Sequence, residues 1–190
     1  MSIIAQSFPF CKPYSAQKHG RSALSIDYIQ EVFSLKINKK LLILCLVIPL
    51  AVGGLAALLT GGGMDTFETL NQPPLSPPGW LFPVVWTILY ILMGIASYLT
   101  LTSGGSVKSI RNAILLYAIQ LAFNFLWPIF FFGLSAYLFA FVWLVVLWLL
   151  ILATTVSFYR LSNIAGRLMI PYLAWVTFAG YLNLGIYLLN

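Results

Sequence analysis

Residues 72–101 read QPPLSPPGWLFPVVWTILYILMGIASYLTL. From Trp80 onward there is no charged side chain, and the run is long enough to cross a hydrocarbon core of ~30 Å, which takes ~20 apolar helical residues. Pro73, Pro74, Pro77 and Pro78 crowd its entrance. Proline is tolerated in the first turn of a helix and stiffens the chain before it, so the stretch reads as a rigid approach that starts a membrane helix abruptly. Pro83 falls in the first turn, where a missing N–H costs little.

The rest of the chain repeats the theme. Of 190 residues, 61% are hydrophobic and 7% charged, against about 25% charged in a soluble domain. Such a chain cannot cover a water-facing surface. Five charge-free stretches, roughly 41–60, 80–101, 113–132, 136–159 and 168–190, qualify as spans. Backbone groups in lipid must bond within the segment, so each is a helix. The expected fold is an all-α bundle of five transmembrane helices over 41–190, preceded by a polar and amphipathic tail over 1–40. Within that tail, Leu24, Tyr28, Val32 and Phe33 share one helical face suited to the headgroup layer.

Loop charges alternate. Lys36, Lys39 and Lys40 precede the first span, Lys108 and Arg111 follow the second, and Arg160 and Arg167 follow the fourth. The first loop holds Asp65 and Glu68, and the third none. Basic loops face the cytoplasm, which puts the N-terminus inside and the C-terminus outside. The net charge of +6 is therefore a topology signal; no nucleic-acid partner is expected. Cys11 and Cys45 lie in different environments and His19 is alone, so no metal site is expected.

Helix residues advance by about 100°. On that wheel Trp86, Tyr90, Met93 and Ser97 share one sector of the second span. Gln120, Asn124, Trp127 and Phe131 share one of the third, and Tyr172, Trp175, Ala179 and Asn183 one of the fifth. A side-chain amide in hydrocarbon is costly unless bonded, so these stripes should face inward. They read either as a cavity for a flat apolar ligand or as packing in which the amides cross-link helices. The opposite face of the third span carries Ala118 and Ala122, a small-residue pair of the kind that lets helices approach, and so a candidate homodimer face. The 61–79 loop reads as a cover over the outer mouth of the cavity.

Three stretches, PPLSPPGWLFPVVWTILYILMGIASYL, QLAFNFLWPIFFF and PYLAWVTFAGYLNLGIYLLN, together resemble the signature of the TspO family of tryptophan-rich sensory and translocator proteins. The resemblance covers about 41–190. It implies ligand-binding positions at Phe67, Pro77, Trp86, Tyr90, Asn124, Trp127, Trp175 and Ala179, and by register at Leu144 and Leu147. It also implies porphyrin or heme as a ligand with no required cofactor, sterol as a further ligand, a homodimer, and a role in transporting, sensing or sequestering tetrapyrroles. The implied location is multi-pass in a membrane, the bacterial inner membrane favoured over the mitochondrial outer or a plastid membrane. Three positions depart from the family: Thr66 stands where a Trp usually precedes the loop aromatic, Pro128 where many members have a small hydroxyl residue after the Trp of the third span, and Trp143 where many carry a carboxylate.

The alternatives are a light- or oxidant-dependent porphyrin-degrading enzyme and a structural or assembly protein. No catalytic residue is assigned, because the spans contain no His, Asp, Glu or Lys for acid–base or nucleophilic work.

Overall fold

A computed structural model describes residues 37–61 and 63–190, with the side chains of 64–66 left outside that description. The amphipathic stretch expected at 24–33 lies outside the described residues, as do Cys11, His19 and Lys36. Asn38–Asn190 is one compact unit.

Among the described residues six helices follow in order: α1 Lys39–Leu59, the short α2 Gly63–Thr69, α3 Leu81–Leu101, α4 Val107–Pro128, α5 Tyr137–Leu161 and α6 Asn163–Leu189. A π-helical turn, Ile129–Gly133, continues α4. Five of these helices are long and apolar enough to cross a membrane, α1, α3, α4 with its π turn, α5 and α6. The chain is an integral multi-pass membrane protein with an all-helical bundle and, among the described residues, no strand.

The helices outrun the apolar stretches at their basic ends. α4 starts at Val107, not near 113, because Ser106 caps it by accepting from the Ser109 amide. α6 starts at Asn163, with Ser162 accepting from the Ala165 amide. Hydropathy marks the lipid-crossing part of a helix, whereas capping side chains mark its end. Lys108, Arg111, Arg160 and Arg167 are all exposed, and their long stems let the charge reach water from a helical position.

Packing sets the helix order around the bundle as α1, α3, α6, α5, α4 and back to α1; α5 against α6 is the most extensive pairing and α1 against α4 one of the thinnest. Where α1 meets α3 the cause is local. Pro49 sits inside α1 and has no N–H for the Cys45 carbonyl four residues earlier. Gly94 of α3 lies against that carbonyl: a Cβ on Gly94 would stand 2.8 Å from it and 2.9 Å from Leu46 Cα. Only glycine lets the two backbones come this close.

The 61–79 connection has two halves. The first contains α2, whose Phe67 is buried and meets Phe82 edge-on with ring centroids 5.2 Å apart. The second runs over the end of α6. There the Asn71 amide donates to Asn190 Oδ1 (3.0 Å), Asn190 Nδ2 donates back to the Asn71 carbonyl (3.0 Å), and Tyr181 Oη donates to the Pro74 carbonyl (2.8 Å). Pro73 rests on Gly185, where a Cβ would stand 2.6 Å from the proline ring.

Candidate functional site

The amides of α4 and α6 face inward: Gln120, Asn124 and Asn183 are all but excluded from solvent. They are not isolated. Tyr90 Oη donates to Asn124 Oδ1 (2.7 Å), Asn124 Nδ2 to Tyr172 Oη (2.8 Å), and Tyr172 Oη to Gln120 Oε1 (3.0 Å). One chain of hydrogen bonds thus ties α3, α4 and α6. Nearer the loop end of the bundle, Trp127 Nε1 donates to Asn183 Oδ1 (3.2 Å) and Asn183 Nδ2 to the Tyr137 carbonyl (2.8 Å). Each such bond in a membrane protein is worth on the order of 0.6 kcal/mol, so their main effect is to fix which rings face which helix.

Beside this network lies a cavity of about 460 Å³, within the range of ~300–1,000 Å³ typical of small-molecule sites. Trp86, Tyr90, Asn124 and Trp127 all line it. Trp86 and Tyr90 stack with centroids 5.6 Å apart. Phe82, Pro83 and Thr87 extend the α3 wall, and Pro128 and Phe132 the α4 wall. The remaining wall is α1, through Leu50, Gly53, Gly54, Ala56 and Ala57, up to Thr60 and Gly61.

The other expected positions are elsewhere. Phe67 is buried beneath the first loop and Pro77 is half-buried in it. Both lie off the cavity wall, although Phe67 touches it through Phe82. Ala179, Leu144 and Leu147 are packed in the core, with Leu144 also edging a shallow groove between α5 and α6. Trp175 lines a separate, shallow apolar groove between α3 and α6 with Val85, Ile88 and Phe178. Its ring meets Phe82 at 6.0 Å, and its Nε1 is buried with no hydrogen-bond partner among the described residues.

On α6, Tyr172, Ala179 and Asn183 therefore face the interior without reaching the hollow, and Trp175 turns to its own groove. Tyr172 and Asn183 reach across the bundle to side chains of α4, and so fill the interior between two helices that are not neighbours in the helix order. The hollow opens on the α1 side instead, where small residues leave room. The sequence reading missed α1 as a wall. The signal available was Gly53-Gly54 followed by Ala56-Ala57 in an otherwise bulky span.

Among the described residues no charged side chain lines the hollow, and none of their His, Cys, Asp and Glu form a group able to hold a metal ion. Trp143, at the position that departs from the family, donates from Nε1 to the Phe123 carbonyl (2.9 Å) and stacks on Phe123 at 4.3 Å, a structural role on the α4–α5 contact.

The model of the TspO/MBR family matches residues 45–189. The tryptophan-rich protein TspO of Chlorobaculum tepidum is 42% identical over 156 residues, 80% of this chain and 99% of that protein. The translocator protein of Bos taurus is 38% identical over 139 residues, 72% of this chain and 82% of that protein. The translocator protein homolog of Schizosaccharomyces pombe is 40% identical over 126 residues, 65% of this chain and 77% of that protein.

Proposed function

We propose a function for a chain that belongs to the TspO/MBR family: it binds flat, largely apolar ligands of the porphyrin and heme type, and sterols as a second class, in the hollow between α1, α3 and α4, and so carries, senses or sequesters them. The observation that carries this reading is the cavity of about 460 Å³ walled by Trp86, Tyr90, Asn124 and Trp127. Stacked and edge-on rings there offer a planar ligand π surfaces worth ~1 kcal/mol each beyond burial. With no cation among the described residues of the wall, porphyrin carboxylates stay at the outer mouth, near Thr60 and Gly61.

Titrating protein in lipid discs with protoporphyrin, heme and a sterol tests it. Saturable binding at one site per chain, weakened about tenfold in Trp86→Ala, is the expected result; that factor is about 1.4 kcal/mol. Trp175→Ala should act less, through Phe82 alone. Binding unchanged in Trp86→Ala would remove the cavity assignment. Illuminating the porphyrin complex separates binding from breakdown, since a new absorbing product lost in Trp86→Ala would favour the enzyme.

The homodimer proposal rests on α4, where Ala118 and Ala122 are exposed on the face opposite the amides. Ala118→Leu with Ala122→Leu should shift the protein to monomer in detergent chromatography.

A further inference from the structure

We propose that the backbone carbonyl of Asn124 is a hydrogen-bond acceptor in the cavity wall, and that the cavity thereby selects flat apolar ligands carrying an N–H or O–H donor on their rim. The inference rests on the ligand-binding reading above and adds to it a specificity that the ring-lined walls do not supply.

In an α-helix the carbonyl of residue 124 takes its hydrogen from the amide of residue 128. Here residue 128 is Pro128, which has none. The next amide does not replace it, because the Ile129 N–H donates to the Leu126 carbonyl as the chain enters its π turn. A π turn inside a helix often sits at a functional site. Asn124 and Pro128 both line the cavity, one helical turn apart on the same face.

The neighbouring carbonyl shows what this fold does with a helix acceptor it covers. Phe123, on the α5 side, receives Trp143 Nε1 at 2.9 Å. Pro49 supplies a second comparison. It frees the Cys45 carbonyl in the same way, and there the backbone of Gly94 closes over the oxygen. Among the described residues no side chain donates to the Asn124 carbonyl, which lies beside the Pro128 ring where both residues line the hollow.

The cavity's own donors do not fill the gap. Tyr90 Oη is engaged by Asn124 Oδ1, Asn124 Nδ2 by Tyr172, and Trp127 Nε1 by Asn183. The Thr60 and Thr87 hydroxyls bond back to the Ala56 and Pro83 carbonyls of their own helices. A buried acceptor without a donor is unfavourable, most of all where lipid surrounds the helix. A ligand that brings a donor is therefore favoured over one of the same shape that does not.

Carbazole and fluorene form a suitable probe pair. Both are flat tricycles of nearly equal size, and a ring N–H in the first is a CH₂ in the second. Their affinities are measured calorimetrically in lipid discs, with partition into protein-free discs subtracted and protoporphyrin titrated alongside. Carbazole is expected to bind roughly threefold to tenfold tighter, the span of one net hydrogen bond. Pro128→Ala and Pro128→Ser each restore the missing amide to the helix, and in either the ratio should fall to about one by the same reasoning.

Equal affinities in the wild type, or no tricycle binding while protoporphyrin binds, overturn the acceptor and leave the cavity reading standing. So does a carbazole preference that survives both substitutions. Protein that binds neither tricycle nor porphyrin overturns the acceptor and the function beneath it together.

Discussion

The two sides of the bundle are built differently. Between α5 and α6, Ile151, Phe158, Met169 and Val176 are wholly excluded from solvent and the helices lie together along their length. On the other side, only 17% of the most apolar stretch of α1 is buried, against 39% for α3, and the interior there is a hollow. Close packing needs bulky side chains that interlock, which α5 and α6 supply. α1 instead turns Gly53, Gly54, Ala56 and Ala57 toward the hollow, so it bounds a space without filling it. The lesson is that binding space lies where a helix packs closely on one neighbour, α3, and thinly on the other, α4, and that the well-packed α5–α6 pair keeps the bundle from collapsing into it.

Two glycines sharpen the contrast, because the same residue type does different work at each. At Gly94 an added Cβ meets the backbone of α1, which cannot step aside. Gly94→Val should therefore push α1 off α3 and cost about 1–3 kcal/mol of stability, the usual penalty of overpacking. Thermal unfolding in detergent should show a clearly lower midpoint, and an unchanged midpoint would mean that α1 is not docked as described. Next in size is Asn124→Leu. It removes two hydrogen bonds and leaves the Tyr90 and Tyr172 hydroxyls competing for other partners, at about 0.6 kcal/mol per lost bond plus the orphaned groups, or ~1–2 kcal/mol in all. Tyr90→Phe removes only one of these bonds and should lose less, and unfolding midpoints that rank these two the other way would show that Asn124 is not the hub.

At Gly53 the obstacle is a ring. An added Cβ would collide with the Tyr90 side chain, which is held from its far end by the bond to Asn124. Gly53→Ala should cost the one Tyr90–Asn124 bond, ~0.6 kcal/mol, and so lower the unfolding midpoint less than Gly94→Val, yet drive Tyr90 into the hollow and weaken porphyrin about fivefold, or ~1 kcal/mol. If Gly53→Ala destabilised as much as Gly94→Val, the tight and the open levels of the α1–α3 seam would not differ in the way proposed.

Much of this was legible in the sequence. Five spans followed from hydropathy, and the inward stripes of α3, α4 and α6 followed from amides that lipid will not tolerate. What could not be read was which stripes meet and which enclose space. Gln120, Asn124 and Asn183 announce that each needs a partner, but not that Tyr172 and Trp127 are among those partners. That choice commits Tyr172 and Asn183 of α6 to side chains of α4 across the bundle, while Trp175 sits in a separate groove. The wall on α1 was hidden for a related reason. A cavity is partly made of what is missing, and Gly53 and Gly54 in an apolar run look like tolerated flaws until Tyr90 is seen against them.

The smallest effect is expected where the loop meets α6. Asn190 both donates to and accepts from the Asn71 backbone, and Tyr181 holds the Pro74 carbonyl. These bonds are exposed, so water replaces them readily and each is worth about 0.5–1 kcal/mol. They hold only the second half of the 61–79 connection; Gly61 and Gly63 line the cavity mouth in its first half. Any opening for a ligand is then expected in the first half, with Asn71 and Pro74 tying the second half to α6 as a strap. Asn190→Ala should raise hydrogen exchange at the Asn71 amide about twofold to fivefold, the factor that corresponds to that energy, and leave exchange at the buried stretch of α3 unchanged. Porphyrin association should also be unchanged, because the strap does not gate the mouth. A faster association in Asn190→Ala would mean that the whole connection swings as one lid, and the division between a fixed and a yielding half of the molecule would then stop short of the loop.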